Sequence, residues 1–245
     1  MQRTSGYLAV VATSCLLMSF CVFGQVNSSP LDLRLTGVPI DFNGIPISQA
    51  LGRIGVATET GFVLFGIEVP LEKGQEPLVS AHIEGGATVR YALNQILASV
   101  PGFGFEAVGS NLVDVFPQYA LNDPDDLLNL QISGLQLVNV PPSNFLSNPA
   151  RFIPELEVAL NHGYQKGCTI GSGLSDKAPG ITIHMGPTTV RNALNAVSET
   201  SIQSARDQRG SAFGWLYLHE RFPSEKAPAD IWRVHGVWTV SKTSN

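Results

Sequence analysis

The chain has 245 residues, 44% of them hydrophobic and 14% charged, with a formal net charge of −5. This length and hydrophobic content are typical of one or two globular domains with a substantial core. The acidic balance, without a Lys/Arg cluster, excludes the electrostatic pattern of a nucleic-acid-binding protein.

Residues 1–24 have the pattern of a cleavable secretory signal. Arg3 provides the positive charge, residues 7–23 form the apolar run, and the sequence up to Gly24 predicts cleavage before Gln25. The apolar run reaches the lower end of membrane-spanning length, so a retained anchor is the alternative. We therefore predict an exported protein, periplasmic or extracellular, with no integral membrane segment after cleavage.

Signal cleavage would leave Cys168 as the single cysteine, so we expect no internal disulfide. We interpret Cys168 as a small buried hydrophobe rather than a nucleophile. The glycine-rich stretch around it, 167–173, lacks the G-K-[ST] ending and the preceding strand of a phosphate-binding loop, so it predicts a flexible loop.

The first half predicts a strand, a helix, two strands, a second helix and a final strand. Leu31, Leu33 and Leu35 alternate with polar residues, which indicates a half-buried strand. Thr88 is placed to cap the second helix through its hydroxyl, and apolar residues recur behind it at helical spacing. The predicted elements cover residues 31–42, 47–59, 62–69, 78–84, 88–100 and 103–116.

The second half predicts a related order of elements after a polar linker. A Gly/Ser-rich stretch replaces its middle strand, and two alternating segments at the end predict a β-hairpin. The predicted elements are a strand at 128–134, a helix at 149–161, a strand at 181–185, a helix that starts behind Thr189, and the hairpin segments 213–220 and 231–240.

Two segments of the first half recur in the second half in the same order. Residues 31–37 match residues 128–134 in residue type, at an offset of 97 positions. Residues 88–96 match residues 189–197, at an offset of 101 positions. Two matches in nearly the same register indicate an internal duplication.

These patterns predict an α+β protein made of two related small units, each a short mixed sheet packed by two helices. The expected organisation is a signal peptide at 1–24, a first unit at 25–118, a linker at 119–127, and a second, diverged unit with a C-terminal β-hairpin at 128–245.

Three stretches of the first half carry a family resemblance. They are Ala50-Leu-Gly-Arg-Ile54 followed by Thr60-Gly61, the helix from Thr88 to Leu97, and Asn111-Leu-Val-Asp-Val115. Together they resemble the short N-terminal domain of bacterial secretins and TonB-dependent transducers. The resemblance implies an envelope-side α+β module that contacts other proteins, and it brings no family active site with it.

The best candidates for chemistry lie near the C-terminus. His219, Glu220 and His235 sit on the predicted hairpin, where a carboxylate beside two imidazoles would suit acid/base work or a metal ion. His82 and His184 occupy the solvent-facing positions of corresponding strands, without a Cys, Asp or Glu at ligand spacing. We expect no catalytic residue, resident metal or cofactor.

Four aromatic residues of the same region offer another chemistry, because exposed aromatic rings stack on sugars. The alternative is that they fill the core of the hairpin, which we prefer. The four residues are Trp215, Tyr217, Trp232 and Trp238.

The sequence thus predicts an exported, non-catalytic module that acts through contact with an envelope or extracellular protein. The sheet edges are the expected contact surface, because an extended partner segment can add to them as a strand. Two alternatives remain open: glycan or cell-wall binding through the four aromatics, and a small metal-dependent or acid/base hydrolase around His219, Glu220 and His235.

Overall fold

A computed structural model describes residues 29–59, 63–72, 74–163, 179–208 and 212–219, with the backbone of four short strands beyond them. Several predictions concern residues outside these ranges and stay predictions. They are the signal peptide, the glycine-rich loop with Cys168, and the side chains of Glu220, Trp232, His235 and Trp238.

The first half contains five strands and two ten-residue helices within the described ranges. Helix α2 begins as predicted, because the Thr88 hydroxyl accepts a hydrogen bond from the backbone N–H of Tyr91 at 3.2 Å. Each helix buries one apolar face. The elements are β1 (Ile40–Pro46), α1 (Ile47–Val56), β2 (Leu64–Pro70), β3 (Leu78–Ile83), α2 (Val89–Ala98), β4 (Phe103–Val108) and β5 (Leu112–Pro117).

The second half is richer in short strands, and its longest element is a helix of 19 residues. Its helices are α3 (Pro142–Ser147), α4 (Pro154–Gly163) and α5 (Val190–Gln208). Its main strands are β6 (Gln131–Ile132), β7 (Leu135–Val140), β8 (Ile181–Met185), β9 (Thr188–Thr189), β10 (Ala212–Phe213) and β11 (Trp215–His219). The remaining strands are β12 (Arg221–Phe222), β13 (Ala229–Asp230), β14 (Arg233–Val234) and β15 (Thr239–Val240).

The α+β class is confirmed, and the largest sheet joins the two halves. Its five strands lie in the order β14-β11-β2-β5-β4. Strand β11 runs parallel to β2, with Trp215 opposite Gly66, and β2 runs parallel to β5. The C-terminal segments pair antiparallel, β11 with β14 and β10 with β15. The two halves therefore share one main sheet, and neither half has a separate main sheet.

The shared sheet has a core on each face, because successive side chains of a strand point to opposite sides. Phe65, Ile67 and Val69 of β2 point to the core formed with α1 and α2. Trp215 and Tyr217 of β11 point to the other core, formed with α3, α4 and α5. Two small antiparallel pairs form an outer layer against the helices: β1 with β3 contacts α1 and α2, and β8 of the β7–β8 pair contacts α5.

These two outer pairs have the same register. In the first, Asp41 lies opposite His82 and Ile45 opposite Val79. In the second, Gln136 lies opposite His184 and Val140 opposite Ile181. The offsets between the halves are 95 residues for the first strand and 102 for the second, at all four equivalent pairs.

Both outer pairs also have a bulge at the same place. The bulged residue has a positive φ in each case, 60° at Gly44 and 54° at Asn139. The backbone N–H of Gly44 donates to the Ser80 hydroxyl at 3.1 Å, and that of Asn139 donates to the Thr182 hydroxyl at 3.3 Å. Glycine and asparagine are the residues that best tolerate this conformation.

The predicted first strands of both halves begin differently from the expectation. Pro30–Asp32 forms a 3₁₀ turn that the Ser29 hydroxyl caps, and regular pairing starts only at Ile40. Leu127–Asn129 forms the corresponding turn, capped by Asp126. Leu31 and Leu35 are buried here, and beyond the turn the backbone of residues 33–36 bonds to residues 57–59 and 86–89 instead of to a regular strand.

The helix predicted at 149–161 is divided. Pro149–Arg151 is a 3₁₀ turn that separates α3 from α4, and Pro154 begins α4. Proline lacks the N–H that a helix interior requires, but it is tolerated in the first turn. Each of these helical segments accordingly starts at a proline. Among the residues that the structure describes, no helix combines the length and apolar character that crossing a bilayer requires.

Candidate functional site

A buried polar cluster lies where helix α5 crosses the face of the shared sheet. Its members are at most 6% exposed, and they come from both halves and from the predicted linker. Buried charged groups of this density are rare unless they are paired or functional. The cluster consists of Glu68, Asp114, Asp126, Arg191, Asn195 and His219.

Strand alternation places Glu68 and Asp114, the two buried acidic residues of the shared sheet, on the same face. Glu68 and Asp114 sit on the parallel strands β2 and β5, and both belong to the face opposite the first core. Gly66 lies opposite Asp114 in the same register. A Cβ at Gly66 would collide with the Asp114 carboxylate and the Trp215 ring, so glycine is required for this close packing.

Arg191, in the first turn of α5, is the central cation. Its guanidinium forms a buried ion pair with the Glu68 carboxylate and lies 4.0 Å from the nearest Asp114 oxygen. The same group lies over the rings of Phe116 and Trp215, 5.6 and 5.9 Å from their centroids. Stacked aromatic faces are a favourable environment for a guanidinium that is removed from water.

Asn195 follows Arg191 by one helical turn and bridges the sheet to the second core. Its side-chain N–H donates to Asp114 Oδ2 at 2.8 Å. Its carbonyl oxygen accepts from the Trp215 indole N–H at 2.7 Å. One amide therefore satisfies an acid of the first half and a ring of the second.

Asp126 and His219 complete the cluster on the other side of Glu68. The Oδ1 atom of Asp126 accepts from the backbone N–H of Leu128 at 2.7 Å. The Nε2 atom of His219 lies 3.4 Å from Glu68 Oε1, and the Tyr217 ring stacks on the imidazole at 4.9 Å between centroids. Both side chains are therefore held in one orientation.

The carboxyl groups of the cluster have different protonation behaviour. Burial raises the pKa of Asp114 to about 7. Burial, together with the neighbouring Glu68 charge, raises the pKa of Asp126 to about 8. Burial also acts to raise the pKa of Glu68, but His219, Asp126 and Arg191 outweigh it and hold that pKa below its ordinary value. Glu68 is thus the carboxylate that carries the negative charge.

Several polar atoms of the cluster are buried without a hydrogen bond to any described residue. They are Glu68 Oε1, His219 Nε2, Asp114 Oδ1 and the Nε and Nη1 atoms of Arg191. Leaving such atoms unsatisfied costs free energy, so their convergence indicates a site that can accept a further group.

The structure brings one predicted site residue, His219, into this cluster. Trp215 and Tyr217, predicted either to stack on sugars or to fill the core, are 1% and 2% exposed and lie in the second core. His82 is exposed and bonds Asp41 at 2.6 Å, and His184 is exposed on its strand.

Sequence reasoning missed the other members of the cluster, although two carried a signal. Glu68 and Asp114 are each the single acid within a run of apolar strand residues. A lone charge in such a run indicates a buried partner, because an unpaired charge there would be too costly. Asp126 was placed in the polar linker, and Arg191 and Asn195 were assigned to a repeated helix without a role.

A second candidate site is the open edge of the shared sheet at β4. Among the described residues, no strand pairs with its outer side. The Gln118 N–H donates to the Gly102 carbonyl at 2.8 Å. This bond shows which opposite residue pairs of the β4–β5 ladder are hydrogen-bonded to each other and which are not. The N–H groups of Phe103, Phe105 and Ala107 consequently point away from β5.

A groove of about 560 Å³ lies at the Phe103 end of this edge. Its walls are mainly apolar, and Leu78 and Tyr119 in it are 58% and 57% exposed. Its lining also includes Pro70, Glu72, Pro77, Pro101, Phe103 and Pro117.

Comparison with protein-family models, curated proteins and solved structures finds no match to this chain.

Proposed function

We propose that this protein is a non-catalytic, exported module that binds an extended segment of another protein. The observation that supports the proposal best is the β4 edge, with three outward N–H groups beside an apolar groove. An added strand would satisfy these groups, and groove contacts would supply selectivity. The resemblance to secretin and TonB-transducer domains points to a partner in the cell envelope.

The chemistry of the edge restricts the partner segment. Glu72 is the one charged residue among the described residues that line the groove, and Glu106 is exposed on β4 itself. A fitting segment would place an apolar side chain against Leu78 and Tyr119 and a basic residue opposite Glu106. Cross-strand pairs of opposite charge are favourable by roughly 0.2–1 kcal/mol.

We also infer that the two halves are diverged copies of one unit. The equal registers of the outer strand pairs, the two equivalent bulges and the two N-terminal threonine caps support this inference. The Thr189 hydroxyl accepts from Asn192 N–H at 3.2 Å, as Thr88 does from Tyr91 in the first copy. In this view, strands of the second copy extended a sheet of the first copy, which gave the shared sheet.

The binding proposal is tested with Ala107→Pro, which removes an outward N–H without removing a bond to β5. Ala107→Thr is the matched control, since it keeps the N–H and favours a strand. We expect wild type and Ala107→Thr to retain the same envelope proteins in a quantitative pull-down, and Ala107→Pro to lose them. Equal retention by wild type and both variants, with unchanged circular dichroism, would refute binding at this edge.

Export is tested separately by the intact mass of the protein purified from its native source. A mature chain that begins at Gln25 is expected, and a full-length chain in the cytosolic fraction would contradict the proposal.

A further inference from the structure

Three side chains of the buried polar cluster have the composition of a metal site. Glu68 comes from β2, Asp126 from the segment between the halves, and His219 from β11. Each is at most 6% exposed, and one potential ligand atom from each lies within 4.8 Å of the other two. No other group of three such residues was found among the described residues.

Two buried atoms at the centre of this triad face each other as two ligands of one cation would. Glu68 Oε1 and His219 Nε2 are buried, lack a hydrogen bond within the described ranges, and lie 3.4 Å apart. Two ligands of a tetrahedral zinc ion, with bonds of about 2.0–2.1 Å, lie roughly 3.3–3.4 Å apart. The observed separation falls in that range, so the two atoms could bind one ion without rearrangement.

Neighbouring groups orient the ligands. Arg191 holds the Oε2 atom of Glu68, which leaves Oε1 directed at His219. The Leu128 N–H holds Oδ1 of Asp126, and the stacked Tyr217 ring holds the imidazole plane. Such outer contacts are typical of protein metal sites, where they fix the orientation of the ligating side chains.

The donor atoms of the triad restrict which ion would fit this place. One imidazole and two carboxylates suit zinc or a similar first-row transition ion. Magnesium and calcium are poorer fits, because they require six or more ligands that are mainly oxygen atoms.

We propose that Glu68, Asp126 and His219 bind one divalent transition-metal ion, which ties the linker to both halves of the protein. The ion joins three parts of the chain that are distant in sequence, so its role is structural. The inference is independent of the β4 edge and stands whether or not that edge binds a partner.

The test uses the full chain, stripped with a chelator and titrated with Zn²⁺ in a calorimeter. Asp126→Asn removes an anionic ligand but keeps the Oδ1 acceptor for Leu128, so the fold is retained. His219→Gln is the second variant. His82→Gln is the control, because His82 with Asp41 and Glu84 forms an exposed surface group that could bind zinc adventitiously.

We expect one zinc ion per wild-type chain, a rise in Tm on binding, and a loss of affinity of about 10–100-fold or more in both site variants. The control should match wild type. The proposal is overturned if wild type binds no zinc, if Asp126→Asn binds it unchanged, or if His82→Gln alone abolishes binding. A second readout is the zinc content of protein purified without chelator, measured by elemental analysis.

Discussion

Helices α2 and α5 begin with nearly the same residues but have different surroundings. Thr-Val-Arg-x-Ala-Leu-Asn occurs at 88–94 and again at 189–195. In α2, Arg90 and Asn94 face solvent, and Arg90 lies 3.6 Å from the exposed Asp32. In α5, Arg191 and Asn195 are buried against the shared sheet.

The difference comes from what covers the helix. Both helices bury the stripe that faces their own small core. In α5 a second stripe is also buried, formed by Arg191, Asn195, Ser198 and Ile202 at spacings of three and four residues. A polar helix face that would otherwise contact solvent thus forms specific ion pairs and hydrogen bonds when buried acidic residues lie opposite it. The same sequence therefore has two roles, set by tertiary contact.

The strongest test of this comparison removes each arginine charge in turn. Arg191→Met should lower the free energy of unfolding by about 3–5 kcal/mol, because it leaves buried Glu68 without its cation. Arg90→Met removes an exposed pair and should cost less than about 1 kcal/mol. Urea unfolding of both variants measures the difference, and similar losses would show that burial of Arg191 has no special energetic role.

The asparagines give a smaller effect. Asn195→Ala should cost about 2 kcal/mol, because the Trp215 N–H and Asp114 lose their hydrogen-bond partner inside the protein. Asn94→Ala should change stability by no more than about 0.5 kcal/mol. Near-ultraviolet circular dichroism should also report altered Trp215 packing in the first variant alone. Unchanged stability in Asn195→Ala would mean that water replaces the amide without cost.

The smallest expected effect, counted per pH unit, is a dependence of stability on pH. Only the buried polar face of α5 has it, because Asp114 lies opposite that face. Because the pKa of Asp114 is raised to about 7 from an ordinary value of 3.8, the folded protein retains its proton more strongly. The stability contributed by Asp114 is fully present below about pH 4 and is lost as pH rises to about 7. The slope is at most about 1.4 kcal/mol per pH unit.

Asp114→Asn isolates this contribution, since it keeps an oxygen acceptor for Asn195 and cannot ionise. Urea unfolding between pH 5 and pH 7.5 should show a flatter stability profile in the variant than in wild type. Identical slopes would show that Asp114 does not titrate in this range.

The sequence predicted local structure better than it predicted the site. The helix behind Thr88 and strand β8 were placed from periodicity, because each of them buries one regular stripe. The turns at Pro30–Asp32 and Leu127–Asn129 were missed, since alternating leucines look the same in a strand and in a capped turn.

The buried polar cluster could not be predicted because its members are joined only by tertiary structure. Glu68 and Arg191 are 123 positions apart in the chain, and the shared helix sequence does not distinguish Arg191 from the exposed Arg90. The single acids within β2 and β5 were visible in the sequence, but their partners depended on which helix crossed the sheet.

The position of β11 has a consequence for how the chain reaches its final form. The strand pairs with β2 in the middle of the sheet, although Trp215 is synthesised long after Gly66. Until residues 215–219 arrive, the side of β2 that faces away from β5 has no partner in the shared sheet, and an unpaired strand edge invites wrong pairing. The first half cannot complete its native sheet ahead of the second, so truncation near residue 210 should yield an aggregation-prone product rather than a free-standing domain.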